Sequence, residues 1–308
     1  MQFELTVLGS NSALPAQNRY PTSQYLNIRN NHILIDCGEA AQIQLNKYKI
    51  KSSKIDKIFI SHLHGDHFYG LPGLLSSFNL NRRTDPLMIF APPGLKEIIE
   101  TMFSHTKSSL NYSLEFQEIV PKNGLLIYED EEIEVRSLEM IHRIPCCGFV
   151  FKEKKEKRKI NKEKIEGLEM SHEWYIKLKE GADYIDKNDK RIPNDELTDP
   201  PPQQRTYAYC TDTAYNEKII PFIEGVDILY HEATFKKDKA ERALETYHST
   251  TVQAAEIAKK AGVKKLLIGH YSSRYEDLTP LQNECREVFE NTELALEGNI
   301  HTLPRIFQ

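Results

Sequence analysis

Four side chains of the types that bind metal ions lie within six residues of one another, directly after a short apolar segment. The apolar segment spans 57–61 and predicts a β-strand. The four side chains that follow it are His62, His64, Asp66 and His67. On a helix they would point in several directions, because about 3.6 residues make one turn. A loop that pivots on Gly65 can instead direct all four toward one centre, so we expect the fold to bring this loop inward.

This set of donors suits transition-metal ions. Imidazole and carboxylate groups together are typical ligands of zinc, with manganese and iron as alternatives. Four ligands so close in sequence do not fit one tetrahedral ion, so we expect two half-sites, a His62–His64 pair and an Asp66–His67 pair. The alternative is a polar loop of ordinary surface histidines. The presence of three of the chain's eleven histidines in this short window favours the metal interpretation.

Each half-site needs further ligands, and three polar residues lie where predicted strands end. Asp212 and His270 follow the predicted strands 206–210 and 264–268, and His142 lies close to the end of another. Sites in open α/β sheets gather at the carboxyl ends of strands, so we expect these side chains beside the His-rich loop. Taken singly, each could instead be a hydrogen-bonded histidine or a turn residue. Asp212 has two carboxylate oxygens and could bridge two ions.

Two more residues at the ends of predicted elements could take part in catalysis. His248 precedes a predicted helix whose start, at Thr250 and Gln253, has the spacing of a capping box. A local contact with that helix start explains His248 as well as a catalytic role does. Glu232 follows the predicted strand 226–230 and could orient a histidine by accepting its N–H.

Strands and helices alternate along most of the chain, which predicts an α/β fold with packed layers. The chain has 308 residues, of which 40% are hydrophobic, so it can bury a sizeable core in one or two domains. The predicted helices span 39–48, 71–80, 95–105 and 251–261. No run approaches the roughly 18 apolar residues of a membrane span, and the first residues do not resemble a signal peptide. We therefore expect a cytoplasmic protein without a membrane partner.

Net charge and the cysteines indicate which partners and which redox compartment suit the protein. A formal net charge of −5 and a pI near 6.2 argue against a uniformly basic nucleic-acid binder. A local basic patch could still bind RNA, because a binding footprint depends on where the charge lies. The five cysteines include no C-x-x-C pair. We predict that they are reduced and mostly buried, as in a reducing compartment.

A basic and polar segment of about fifty residues interrupts the α/β pattern. Within 152–164 there are eight lysines and arginines against three glutamates, and a short helix is predicted at 170–178. One interpretation is a disordered surface loop, since runs of charge are usually solvated. The other is an arm, about 152–203, that protrudes from a single catalytic domain spanning 1–308 and binds an anionic partner.

Several segments match the motifs of one known family. Ser61-His62-Leu63-His64-Gly65-Asp66-His67 resembles the signature loop of the metallo-β-lactamase superfamily. The segments that resemble further motifs are Val7-Leu8-Gly9-Ser10, Asp36-Cys37-Gly38-Glu39, His231-Glu232-Ala233-Thr234-Phe235, His248-Ser249-Thr250 with Gln253-Ala254-Ala255, and Gly269-His270-Tyr271-Ser272-Ser273-Arg274-Tyr275. Together they resemble the ribonuclease Z family, the tRNA 3′-processing endonucleases, from the first strand to about Tyr275.

The resemblance implies a fold and a metal content. The fold would be a four-layer αβ/βα sandwich, in which two β-sheets lie between layers of helices. The metal content would be two zinc ions per subunit. One ion would be held by His62, His64 and His142 and the other by Asp66, His67 and His270, with Asp212 bridging them.

The resemblance also implies an activity and partners. The activity is hydrolysis of the phosphodiester that joins the 3′ trailer to precursor tRNA, which leaves a 3′-hydroxyl on the tRNA. The resemblance implies that His248, supported by Glu232, assists cleavage. From the site itself we expect Asp66 to accept a proton from the attacking water. The family is usually a homodimer and carries an inserted arm that grips the tRNA elbow. The basic segment occupies the place of that arm, and its candidate RNA-binding residues are Lys154, Lys155, Lys157 and Arg158.

Other activities remain compatible with the sequence. Short-form members of the family carry a Gly-Pro-rich arm tip, whereas this chain has Gly167-Leu168-Glu169-Met170-Ser171-His172-Glu173-Trp174. One alternative is therefore a zinc phosphodiesterase of the same superfamily that acts on small molecules or on another RNA. A second is a non-catalytic RNA-binding subunit on the same fold. Such subunits usually lose metal ligands, and all seven candidates are present here.

Overall fold

The computed structural model describes residues 2–307 of the chain. The strands are β1 Phe3–Gly9, β2 Ser23–Ile28, β3 Asn31–Ile35, β4 Lys57–Phe59, β5 Leu87–Ala91, β6 Leu114–Glu118, β7 Leu126–Glu129, β8 Ile133–Glu139, β9 Cys147–Glu153, β10 Lys159–Ile160, β11 Tyr184–Ile185, β12 Arg191–Ile192, β13 Thr198–Asp199, β14 Thr206–Cys210, β15 Ile228–Glu232, β16 Leu266–Gly269, β17 Thr292–Leu294 and β18 Ile300–Thr302. The α-helices are α1 Ala41–Lys47, α2 Gly65–Phe68, α3 Leu71–Leu80, α4 Leu95–His105, α5 His172–Lys179, α6 Asn194–Leu197, α7 Ala240–Glu245, α8 Thr251–Lys260 and α9 Thr279–Arg286. Short 3₁₀ helices span Ser52–Lys54, Glu217–Phe222 and Lys237–Lys239.

Chain contacts divide the protein into two compact units. The larger unit contains residues 1–152 and 206–303, and the smaller contains residues 153–205 and 304–308. Each has its own cluster of buried apolar side chains.

The larger unit contains two seven-stranded sheets. The first has the strand order β18-β1-β2-β3-β4-β5-β6, and its strands β3 to β6 run parallel. The second has the order β17-β16-β15-β14-β9-β8-β7, and its strands β14 to β17 run parallel. Both sheets therefore place the carboxyl ends of several neighbouring strands at one edge, where loops can carry functional side chains.

Apolar side chains fill the space between the sheets and cover their outer faces. Large aromatic residues such as Phe59, Phe149 and Tyr209 pack between the sheets, where the Phe59 and Phe90 rings stack with their centroids 4.4 Å apart. Helices α1, α3 and α4 cover the outer face of the first sheet, and α8 and α9 cover that of the second. This is the four-layer αβ/βα sandwich that the family resemblance implied.

Predicted helices agree closely with those of the structure. The predictions 71–80 and 95–105 match α3 and α4 residue for residue, and the capping box that opens α8 at Thr250 and Gln253 forms as expected. One difference lies in the His-rich segment, predicted as a loop, where Gly65 opens the one-turn helix α2. Among residues 2–307, no helix combines the length and apolar character needed to cross a membrane.

The five cysteines are free and buried, as predicted. Burial raises the pKa of every one of these thiols, and that of Cys147 is raised to about 12 by burial and by the nearby Asp36 carboxylate. A thiol with so high a pKa carries almost no nucleophilic thiolate at neutral pH.

The basic insertion folds as the smaller unit rather than as a bare loop. Its core contains Leu178, Tyr184 and Leu197, with the Trp174 ring edge-on to Tyr184 at 5.1 Å. At the two ends of its segment 153–205, the buried Glu153 and Arg205 side chains form an ion pair with N···O at 2.6 Å. Because both charges are desolvated, loss of either partner would remove a close countercharge from the other.

Candidate metal centre

The His-rich loop connects β4 to α3 and reaches the carboxyl edge of the first sheet. Asp36 directly follows β3, and because β3 and β4 run parallel and in register, it lies beside Ser61. Gly65 opens α2, and a Cβ atom there would lie 2.1 Å from the exposed Tyr69 ring, so a larger residue at this position would displace that ring. The local fold therefore fixes the path of the loop.

Parallel strands of the second sheet bring the distant candidates to the same place. Cys210 pairs with His231, and His231 pairs with Ile268, so the residues after β14, β15 and β16 lie side by side. Asp212 and His270 follow β14 and β16, Glu232 is the last residue of β15, and all three are buried. His142 follows β8 and joins them.

Four side chains form a first cluster: His62, His64, His142 and Asp212. The His64 Nδ1 atom lies 2.9 Å from His62 Nε2 and 3.1 Å from His142 Nε2. Oδ2 of Asp212 lies 3.7 Å from His62 Nε2 and 3.8 Å from His142 Nε2. Three imidazoles and a carboxylate thus converge on one point.

Asp66, His67 and His270 form a second cluster next to the first. Asp66 Oδ2 lies 3.5 Å from His67 Nε2 and 3.6 Å from His270 Nε2. Oδ1 of Asp212 lies 3.2 Å from each of the same two nitrogen atoms. Asp212 therefore directs one oxygen toward each cluster.

Two nitrogen atoms of these clusters have lone pairs that a metal ion could bind. Nε2 of His67 and Nε2 of His270 are buried and have no hydrogen-bond partner within residues 2–307. Buried polar atoms are nearly always paired in folded proteins, and two lone pairs directed at carboxylate oxygens are what a cation would satisfy. Imidazole nitrogen and carboxylate oxygen are the donors that zinc accepts.

The second nitrogen of each of these histidines is held by another group. His67 Nδ1 lies 2.7 Å from Asp36 Oδ2, and His270 Nδ1 lies 2.9 Å from Thr234 Oγ1. His142 Nδ1 lies 3.2 Å from the Tyr247 carbonyl oxygen. Such contacts fix which nitrogen is free to bind a metal and how the ring is oriented.

Asp36 contacts the candidate ligand His67 and was not among the site residues named from the sequence. Its buried carboxylate accepts hydrogen bonds from the Ser61 N–H at 2.7 Å and from the Tyr209 hydroxyl at 2.6 Å, besides its contact with His67. The sequence signal that could have identified it is its position directly after β3, next to the strand that leads into the His-rich loop.

Charges in the two clusters depend on one another. Burial opposes charge on His67, but the carboxylates of Asp212, Asp66 and Asp36 raise its pKa well above its ordinary value. Burial also opposes charge on Asp212, yet His270 and His67 hold its pKa well below its ordinary value. The pKa of His62 is lowered by burial and by its histidine neighbours, so that it offers a neutral lone pair. The carboxylates favour positive charge at this point, which a bound cation would supply.

His248 and Glu232 form a hydrogen-bonded pair beside the clusters. His248 Nδ1 lies 2.9 Å from Oε1 of the fully buried Glu232, which also accepts hydrogen bonds from the Thr213 N–H and the Thr234 hydroxyl. Burial opposes charge on His248, but Glu232 raises its pKa to about 9. The pair can therefore present a protonated imidazole to the site.

A cavity of about 350 Å³ opens over the two clusters, and His64, Asp66, Asp212, His248 and His270 all line it. The Ala13 N–H donates to Asp66 Oδ2 at 2.8 Å and forms part of the wall. All seven predicted metal ligands, with His248 and Glu232, thus lie together in the larger unit. The predicted RNA-binding residues Lys154, Lys155, Lys157 and Arg158 belong to the smaller unit.

Known proteins resemble this chain over nearly its whole length. Ribonuclease Z of Parabacteroides distasonis is 44% identical, covering 96% of this chain and 97% of that protein. Ribonuclease Z of Cytophaga hutchinsonii is 45% identical, covering 97% and 96%. The family model described as anti-Pycsar protein Apyc1 matches residues 3–159, just over half of the chain, which is therefore also a member of the group that this model describes.

Solved structures give the same result for the fold. The short form of human tRNase Z superposes with a TM-score of 0.72 at 26% identity, covering 98% of this chain and 99% of that one. YhfI from Bacillus subtilis, a metallo-β-lactamase fold protein, superposes with a TM-score of 0.69 at 20% identity, covering 98% and 100%. By its fold and by its similarity to full-length relatives, this chain belongs to the ribonuclease Z family.

Proposed function

We propose that this protein is a zinc-dependent endoribonuclease that removes the 3′ trailer from precursor tRNA and leaves a 3′-hydroxyl on the tRNA. The observation that carries the proposal is that seven candidate metal ligands form two adjoining clusters, with the hydrogen-bonded His248–Glu232 pair beside them, and that five of the seven ligands line one cavity. Full-length similarity to proteins named ribonuclease Z supports the choice of precursor tRNA as substrate.

Two zinc ions fit the division of the donors. We assign His62, His64 and His142 to one ion and Asp66, His67 and His270 to the other, with Asp212 between them. When bound, the ions supply Lewis acidity to the attacking water and to the phosphate oxygens.

The chain's own residues position and move protons around this centre. Asp66 faces the cavity and is held by the Ala13 N–H, so its carboxylate is placed to accept a proton from the attacking water. His248 is oriented through Nδ1 by Glu232, which leaves Nε2–H to donate to the phosphate or to the leaving oxygen. Glu232 keeps the imidazole in this orientation because backbone and hydroxyl donors fix its own carboxylate.

The smaller unit supplies the binding energy in this proposal. Lys155 and Lys157 are exposed, and Lys157 pairs with Glu180 only at the surface. Arg158 contacts Asp195 and donates to Thr198 Oγ1 at 2.7 Å, so it also holds the unit together. Lysine and arginine side chains bind RNA phosphates without reading sequence. The tRNA would therefore be selected by its shape.

Two assays test the proposal. Metal analysis of the purified protein should give two zinc ions per chain, and incubation with a 3′-extended precursor tRNA should give one cut at the trailer boundary, with a 3′-hydroxyl on the tRNA product. Asp66→Ala should abolish cleavage but retain tRNA binding. Efficient turnover of a small aryl phosphodiester without cleavage of precursor tRNA would instead support a small-molecule phosphodiesterase, and retained cleavage by Asp66→Ala would contradict the site assignment.

The resemblance to the family further leads us to propose a homodimer that acts in the cytoplasm. Five free, buried cysteines suit a reducing compartment. Light scattering of the full chain should give twice the chain mass of 35.7 kDa, and a monomeric mass at all protein concentrations tested would refute the dimer.

A further inference from the structure

Two side chains that line the cavity over the metal clusters have no role in the chemistry above. They are Tyr69 and Arg143. Tyr69 is 69% exposed, although tyrosines usually cover at least part of their ring, and Arg143 is exposed as well. Both adjoin candidate ligands in sequence. Tyr69 follows α2, which contains Asp66 and His67, and Arg143 follows His142.

The Tyr69 ring contacts two neighbouring residues and leaves most of its surface open to solvent. The ring lies against Gly65, whose missing side chain makes room for it, and it meets the Phe68 ring edge-on at 5.1 Å. The phenol oxygen forms no hydrogen bond with any of residues 2–307. An exposed aromatic ring without a polar partner offers a surface on which another flat ring can stack.

Arg143 is an unpaired cation on the same cavity. In the described part of the chain, its guanidinium makes no hydrogen bond and no ion pair. Other arginines of the protein are engaged, as Arg205 is with Glu153 and Arg29 with Glu132. A guanidinium has five N–H donors that match phosphate oxygens in a two-point contact.

We propose that Tyr69 and Arg143 form a nucleotide subsite beside the scissile bond, in which the Tyr69 ring stacks on an unpaired base and Arg143 binds the adjoining phosphate. This inference rests on the proposed function, because it assumes that an RNA chain enters the cavity. The subsite recognises any base, since every base has an aromatic face. It makes Tyr69 and Arg143 positioning residues that place the phosphodiester over the metal ligands.

The kinetic test combines variants with altered substrates. Tyr69→Ala should lower kcat/KM for a 3′-extended precursor tRNA about 10-fold, in the lower part of the range for stacking one base on an aromatic ring. The assay is repeated with substrates that lack the base on either side of the cut. The kcat/KM of the wild-type enzyme should fall by a similar factor on one of these two substrates. On that substrate Tyr69→Ala should have nearly the same kcat/KM as wild type, because the stacking contact is already absent. If Tyr69→Ala lowers kcat/KM relative to wild type by the same factor on all substrates, the stacking contact is refuted.

A binding measurement separates stacking from a general structural effect. Protein that carries Asp66→Ala, which should bind tRNA without cutting it, is mixed with a precursor tRNA that carries 2-aminopurine at the nucleotide identified by the kinetics. The 2-aminopurine fluorescence should be quenched on binding, and every variant below is measured in the same Asp66→Ala background. Tyr69→Phe should retain the quenching and Tyr69→Ala should lose it. Phe222→Ala, which removes an aromatic ring that is 43% exposed away from the cavity, is the matched control and should quench as wild type does.

Arg143 is tested by the salt dependence of kcat/KM. Arg143→Gln should reduce the slope of log(kcat/KM) against log(salt) by about 0.7, the value for one contact with a single-stranded phosphate. Arg82→Ala removes an exposed arginine outside the cavity and should leave the slope unchanged. If wild type cuts precursor tRNA but neither variant shows its expected change, the subsite is refuted and the proposed function stands. If wild type does not cut precursor tRNA, the proposed function itself fails.

Discussion

Asp36→Asn tests whether the charge behind His67 controls the metal affinity of the site. Oδ2 of Asp36 accepts a hydrogen bond from Tyr209 and lies 2.7 Å from His67 Nδ1 and 2.9 Å from Ser61 Oγ. Oδ1 accepts the Ser61 N–H at 2.7 Å. The side chain is fully buried, so water cannot replace a lost partner.

Asparagine keeps the shape of this group but has one acceptor oxygen and one NH₂ donor. If its oxygen takes the Oδ2 position, its NH₂ group faces the Ser61 N–H, which is also a donor. The opposite orientation is worse, because the NH₂ group then faces the three groups around Oδ2. The better orientation leaves one buried N–H unpaired, at about 1–3 kcal/mol, and weakens the remaining bonds by removing the charge. We expect the free energy of unfolding of the metal-free protein to fall by about 2–3 kcal/mol.

Metal affinity should fall by about 10–100-fold, the usual effect of removing the partner of a metal-ligating histidine. Urea unfolding followed by circular dichroism measures the stability, and competition with a chromophoric zinc chelator measures the affinity. Asp85→Asn, an exposed carboxylate outside the network, is the control and should change neither quantity. An Asp36→Asn protein that is destabilised but binds zinc as wild type does would refute the idea that Asp36 acts on the metal site.

Three further predictions concern other parts of the molecule. Glu232→Gln should lower kcat for precursor tRNA by about 100-fold or more with little change in KM, because His248 loses its charged partner. Steady-state kinetics measures both constants, and an unchanged kcat would contradict the prediction. In the native protein the five thiols should not react with Ellman's reagent at pH 8, because burial raises the pKa of each. All five should react in urea, and rapid labelling of the folded protein would show the prediction to be wrong. Replacing Lys155 and Lys157 together with alanine should raise KM and reduce the salt slope of tRNA binding by about 1.4–1.8, and an unchanged slope would remove these two residues from the RNA interface.

Local sequence patterns predicted much of the fold. The helices α3 and α4 carry their apolar residues at helical spacing and end in clear breaks, so their limits follow from the sequence. The four-layer arrangement was implied by the resemblance rather than by any single pattern. Strands β17 and β18 were not predicted, since each has only three residues and neither is a fully buried apolar segment like β4. Strand β18 is defined by its pairing with β1, almost three hundred residues away in sequence.

The candidate site was predicted in part for a similar reason. The ligands within the His-rich loop stand out because they are close in sequence. Glu232 and His248 could be named, but the 2.9 Å contact between them depends on how β15 and the start of α8 meet. Asp36 and the Ala13 N–H were missed because they reach the site only through the register of the first sheet and the path of the first loop. Interactions that depend on long-range packing leave no local pattern.

The division of the ligands between the two sheets has a consequence for the timing of activity. The first sheet contributes the His-rich loop, and the second contributes His142, Asp212 and His270. A chain still being synthesised has the loop long before it has Asp212 or His270, and it cannot assemble either half of the centre completely. The full set of candidate ligands is therefore present only after β16 has been made and has docked, so we expect no cleavage by a chain that ends before that strand.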